Sequence, residues 1–182
     1  MKHLLFIFLL PLLISASCKK TVTPPPPPVA EQLPPATQEG KNTCGFLVNG
    51  KVWLPKGRVG NGSPNLKWWY DPTYRNGTFN INGYRYDKNE GDKFTSFVIA
   101  IDNFSSAGVY ALNTSGRVTG YSDYNKNCIY YREDTIPVNN NYINITKFNL
   151  QQGIIAGLFQ FTLAKAGCDT IRITEGRFDI KL

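Results

Sequence analysis

Between Phe94 and Asp102 the large apolar side chains fall on odd positions, Phe97, Ile99 and Ile101, which is the period-two signature of a strand with one buried face. The same alternation returns in Ile155, Phe159, Phe161 and Leu163, with Gly157 in phase. In "CGFLVNGKVWLP" the Asn49-Gly50 step divides two apolar runs, the strongest short hairpin signal. A two-residue turn there pairs Val48 with Lys51, Leu47 with Val52 and Phe46 with Trp53, and Pro55 and Gly57 end the second run. Further strands are predicted at Leu66–Tyr70, Thr78–Tyr86, Phe94–Asp102, Val109–Leu112, Val118–Ser122, Cys128–Arg132, Tyr142–Phe148, Ile154–Leu163 and Thr170–Lys181. No window sustains helical spacing. Many short strands between turn residues imply an all-β fold, an antiparallel β-sandwich, with an open or closed up-and-down β-barrel as the alternative. The last strand changes phase, since Ile171 and Ile173 are odd while Phe178, Ile180 and Leu182 are even. One face stays buried only if a residue is absorbed between them, and Glu175-Gly176 is the expected bulge, because Gly tolerates a positive φ.

The first residues follow another pattern. Lys2 precedes an apolar run, Leu4 to Ile14, too short to span a bilayer, and Ser15-Ala16-Ser17 are the small residues of a signal-peptidase site. Ala16, Ser17 and Cys18 resemble the lipobox of bacterial lipoproteins, although Ser15 stands where that family usually has Leu. The resemblance implies removal of residues 1–17, acylation of Cys18 and, with no Asp at position 19, sorting to the outer membrane. A plain secretory signal cut at the same place, leaving Cys18 as a thiol, is the alternative. Lys19 and Lys20 would each add about 1 kcal/mol of attraction to anionic head groups. Residues 18–43 carry five consecutive prolines, Pro24 to Pro28, and the Pro34-Pro35 pair. They read as an extended proline-rich tether, which leaves residues 44–182 as the globular domain.

Composition fits this picture: 10 Tyr, 11 Phe and 16 Gly stand beside a single Met and a single His in 182 residues, a bias towards strands and turns. Cleavage before Cys18 removes Lys2 and the only histidine, His3, and lowers the formal charge from +7 to +6. A mature chain without histidine has no Ser-His-Asp or Cys-His catalysis and lacks the usual ligand of catalytic zinc. The basic residues are scattered rather than clustered, so nucleic acid is not an expected partner. Of the remaining cysteines, Cys44, Cys128 and Cys168, one pair is expected to form a disulfide in an oxidising compartment. Three pairings are open, and Cys128 with Cys168 is preferred because Cys168 lies in the accessible turn "KAGCDT". The run "DKNEGD", Asp87 to Asp92, falls short of an EF-hand loop, so no metal and no cofactor is expected.

The candidate binding residues lie in and after "LKWWYDPTYRNG". Adjacent strand residues point to opposite faces, so of Trp68 and Trp69 one is expected in the core and one outside. Trp68, Trp69, Tyr70, Tyr74 and Tyr84 form a possible aromatic platform for sugar rings, with Asp71, Arg75 and Asn80 as polar contacts. The same aromatics could equally fill cross-strand pairs. "NGKVW", "IIAGLFQF" and the terminal "ITEGRFDIK" together resemble a family of small Gram-negative lipoproteins. The resemblance implies a lipid-anchored all-β domain and carries over no catalytic residue. The resulting expectation is a non-enzymatic binding or structural module of the cell envelope, held to the membrane through Cys18, with a glycan or protein partner. A glycan hydrolase working with carboxylates alone, from among Asp71, Asp87, Asp102, Glu133 and Glu175, is the alternative.

Overall fold

Asn49 and Gly50 both take positive φ, 49° and 81°, the geometry a two-residue hairpin requires. The flanking residues pair as Phe46 with Trp53, Leu47 with Val52 and Val48 with Lys51, in the predicted register. This hairpin joins β1 (Thr43–Val48) to β2 (Lys51–Trp53). In this computed structural model the described residues are 30–182 except 61, 89–90 and 137–139, and all but Ala30 belong to one compact unit, Glu31–Leu182. The remaining strands are β3 (Leu66–Asp71), β4 (Thr78–Asp87), β5 (Lys93–Asp102), β6 (Gly108–Ala111), β7 (Arg117–Asp123), β8 (Cys128–Tyr130), β9 (Tyr142–Asn149), β10 (Ile154–Leu163) and β11 (Ile171–Lys181).

They form a six-stranded sheet in the order β2-β1-β11-β10-β9-β6 and a five-stranded sheet in the order β3-β4-β5-β7-β8. All the paired strands are antiparallel. No strand is shared between the sheets, so the chain is a β-sandwich and the barrel alternative is set aside. Residues that alternate inward interleave between the layers. Phe46 stacks on Trp53 at 4.6 Å and meets Phe97 of the opposite sheet edge-on at 5.0 Å, while Phe79 stacks on Phe178 at 5.6 Å. The predicted strand Cys128–Arg132 stops early. Asp134 Oδ2 accepts the Tyr131 backbone N–H at 2.8 Å, which turns residues Arg132–Asp134 into a short 3-10 segment.

The bulge falls where the phase change requires it, though not for the expected reason. Pairing of β11 slips between Gly176 and Ile173 against β10, and between Arg177 and Thr174 against β1. Glu175, not the glycine, takes the positive φ of 51°. Gly176 is needed for space, because a Cβ there would lie 2.5 Å from the Phe159 ring and 2.6 Å from its carbonyl oxygen.

The cysteine pairing is Cys128 with Cys168, which ties β8 of the five-stranded sheet to the turn before β11 of the six-stranded one. Cys44 is a buried free thiol, and burial pushes its ionisation far above the ordinary thiol range. The domain begins earlier than Cys44. Residues 31–42 lie along the sandwich as a strap: the side chain of Asp179, 1% exposed, accepts the Thr37 hydroxyl at 2.6 Å and the N–H groups of Glu39, Gly40 and Lys41 at 3.0, 2.7 and 3.2 Å. At the other end of the strap Glu31 pairs with Arg85 at 2.7 Å and Lys56 at 3.2 Å. The signal segment 1–17, Cys18 and the prolines at 24–28 lie outside the described residues. Among the described residues no helix is long and apolar enough to cross a membrane.

Candidate functional site

Strand alternation separates the five candidate aromatics. Trp68 and Tyr70 point inward from β3: the Trp68 indole N–H donates to the Lys181 carbonyl at 2.9 Å, and the Tyr70 ring meets Phe104 and Phe148 edge-on at 5.6 and 5.4 Å. Both pack against the core, so they are not part of an exposed platform. Trp69, 44% exposed, stands on the outer face opposite Asn80. Tyr74, 49% exposed, sits in the following turn with the Arg75 guanidinium 5.0 Å from its ring centre. Tyr84 is half-buried on the outer face of β4, and its hydroxyl donates to the Ser63 carbonyl at 2.7 Å.

Tyr84 belongs to a larger feature, a shallow trough of about 500 Å³ across the outer face of the five-stranded sheet. Its aromatic end is a continuous cluster: Tyr84 lies 5.7 Å from Phe94, and Phe94 lies 4.9 Å from Tyr124. Its floor is Asn82, Ser96, Val98, Gly120 and Ser122, aligned by the pairings Asn82 with Val98, Val98 with Gly120 and Ser96 with Ser122. Gly120 keeps the floor low, since a Cβ there would press on Val98 at 3.0 Å. Tyr131, 53% exposed, closes the far end. Tyr130 pairs with Tyr121, which puts Tyr131 level with Gly120 and roughly 14 Å along the strands from Tyr124 at about 3.4 Å per residue. Sugar rings stack on such faces while amide and hydroxyl groups take their hydroxyls, and the trough supplies both.

Phe94, Tyr124 and Tyr131 were not among the sequence candidates. The signal for Phe94 was present, because the alternation that buries Phe97, Ile99 and Ile101 puts Phe94, Ser96 and Val98 on the opposite face of β5. Tyr124 lies just beyond the end of β7, and Tyr131, inside the predicted strand Cys128–Arg132, lies just beyond the end of the observed β8.

A second depression, of about 360 Å³, opens at one end of the sandwich beside Trp53, Arg85, Asp87, Lys126 and Asp169. Four of its charged residues are engaged in ion pairs: Asp87 with Arg85 at 3.1 Å and with the neighbouring Lys56 at 2.8 Å, and Lys126 with Asp169 at 2.6 Å. Burial pushes the phenol of Tyr121, which also lines it, up to about 12.

The candidate acids are dispersed by their partners. Asp71 accepts from Thr73 and Tyr74 within its own turn, and those bonds hold its carboxyl below the ordinary range. Asp102 is pushed up by burial, and the Arg75 guanidinium at 2.9 Å and the Thr78 hydroxyl at 2.8 Å more than reverse this. Glu175 pairs with Arg177 at 3.3 Å, and Asp92 at the end of the acidic loop accepts the Tyr86 hydroxyl at 2.6 Å. Among the described residues no group of three or more His, Cys, Asp or Glu is placed to hold a metal ion. No protein-family model matches the chain, and neither does any curated protein or any solved structure.

Proposed function

We propose that the chain is a lipoprotein of the Gram-negative envelope, acylated at Cys18 and held at the outer membrane, whose sandwich binds a glycan along the trough without cleaving it. The anchor rests on the apolar run, the small residues and Cys18. The binding role rests on one observation above the others: Tyr84, Phe94, Tyr124 and Tyr131 flank a floor of Asn82, Ser96 and Ser122 on an otherwise solvent-facing sheet. Exposed large apolar side chains on one face mark an interaction surface, and Trp69, Val118, Tyr124 and Tyr131 are all exposed there.

Retention of the protein on immobilised envelope and plant glycans, read together with release of reducing ends, tests the reading. Retention without new reducing ends is expected. Tyr124→Ala and Tyr131→Ala should each weaken binding about fivefold, the equivalent of roughly 1 kcal/mol of aromatic contact. Released ends would make the protein a hydrolase, and unchanged binding in both variants would remove the trough from the mechanism. For the anchor, the intact mass of the protein extracted from its own envelope should correspond to a chain starting at Cys18 plus acyl groups.

A further inference from the structure

The Tyr131 end of the trough adjoins a polar cleft of about 450 Å³ lined by Asn113, Thr114, Ser115, Arg132, Glu133 and Thr135. One wall is the turn between β6 and β7, and the other is the 3-10 segment that follows Tyr131. That segment is held rigidly from both sheets. Asp134 Oδ2 caps it through the Tyr131 N–H at 2.8 Å. The Asp134 carbonyl accepts the Ala164 N–H at 2.8 Å from the six-stranded sheet's side. Thr135 bonds Thr119 of β7, hydroxyl to hydroxyl, at 2.7 Å. Within this fixed frame Arg132 and Glu133 are exposed, and neither side chain has an ion-pair or hydrogen-bond partner among the described residues. Lys165 reaches the same place, its Nζ 5.5 Å from the centre of the Tyr131 ring and donating to the Ile129 carbonyl at 2.7 Å. Asp134 is occupied as a cap, so the charged side chains lining the cleft are Arg132 and Glu133, with the Lys165 cation beside them at the Tyr131 ring.

We infer that this cleft extends the trough and selects an acidic polysaccharide, one whose sugar carries a carboxylate. This rests on the reading of the trough as a glycan site. Tyr131 stacks on a ring, Arg132 takes the neighbouring carboxylate with its paired N–H groups, and Glu133 and Asn113 accept and donate to hydroxyls. The capped turn fixes the Arg132 backbone, so that only the side chain's own rotamers remain to be ordered on binding.

The test uses the whole chain with two probes, polygalacturonate and neutral galactan, by affinity electrophoresis at low and physiological salt. The expected result is tighter retention by polygalacturonate, a loss of about tenfold on that polymer with Arg132→Ala, and unchanged retention by galactan. Arg172→Ala, an exposed cation on β11 of the other sheet, removes the same charge and should change neither. Equal retention by the two polymers overturns the inference. So does an equal loss with Arg132→Ala and Arg172→Ala, which would mean general attraction to a basic protein. In both cases a loss on both polymers with Tyr124→Ala would leave the glycan reading standing. Retention by neither polymer overturns the inference, and the glycan reading then stands or falls on the wider panel of envelope and plant glycans. Arg132→Lys, which keeps the charge without the planar fork, should recover less than half of the lost affinity.

Discussion

Replacing Asp179 with Ala tests whether the strap is part of the folded domain. The carboxylate is buried and is the common acceptor for four donors from Thr37, Glu39, Gly40 and Lys41. Hydrogen bonds to a charged group contribute about 1.5–3 kcal/mol each, but the four do not add, because a strap that has lost its acceptor can lift off and return its donors to water. The loss is therefore capped at the net docking energy of the strap, and about 3 kcal/mol is expected. At about 2–4 °C per kcal/mol for a domain of this size, Tm should fall by about 6–12 °C. Asp179→Asn keeps the shape and loses the charge, and should cost about half as much. Hydrogen exchange gives the local readout: the Glu39, Gly40 and Lys41 amides should lose protection while the core strands keep theirs. The effect of pH follows from the direction of the shift. Burial raises the Asp179 carboxyl, and the Thr37 hydroxyl with the three N–H groups lowers it further than burial raises it. A folded value below the unfolded one, about 3.9, stabilises the native state fully above pH 5 or so, and that contribution disappears as pH falls through the folded value. Wild type and Asp179→Ala should therefore converge in stability in strong acid. A variant within about 0.5 kcal/mol of wild type at neutral pH, or one with undiminished protection at Gly40, would refute the reasoning.

Reduction of the Cys128–Cys168 disulfide opens a loop with a sequence separation of 40 and should lower unfolding free energy by about 4 kcal/mol on the chain-entropy account, measured by urea denaturation with and without reductant. Cys44 should resist thiol reagents until the domain unfolds. Trp68→Ala should cost about 2–3 kcal/mol, through the lost core contact and indole hydrogen bond, and Trp69→Ala less than about 0.5 kcal/mol, in the same assay. At the bulge the two neighbours should respond in opposite directions. Gly176→Ala forces a methyl onto Phe159 and should destabilise by about 1–3 kcal/mol, whereas Glu175→Gly relieves the positive φ and should stabilise by about 1 kcal/mol.

Much of the sandwich was legible along the chain because strand formation is written in local alternation. The Asn49-Gly50 turn, the register of β1 with β2, the inward faces of β5 and β10 and the position of the β11 bulge all depend on neighbours close in sequence. The bulge also marks where local reasoning stops. Glu175 takes the strained conformation because Gly176 is required by a ring from β10, a contact made by a residue remote in the chain. The tether misled for a related reason. Prolines at 34 and 35 do favour extended chain, yet Pro34 packs over Gly45, and Asp179 and Arg85 hold the segment around them.

The aromatic residues show the same division. Sequence alone determined that Trp68 and Trp69 face opposite ways, because successive side chains in a strand must. It did not determine which of the two reaches water. That depends on which face of β3 meets the six-stranded sheet, and the answer is the face carrying Trp68 and Tyr70. Only the tertiary structure decided that Phe94, Tyr124 and Tyr131, together with Tyr84, share one trough, since strand pairing across β4, β5, β7 and β8 brings them together. Alternation is a property of one strand, whereas a binding surface is a property of several strands placed side by side, and their order follows from burial of the whole core.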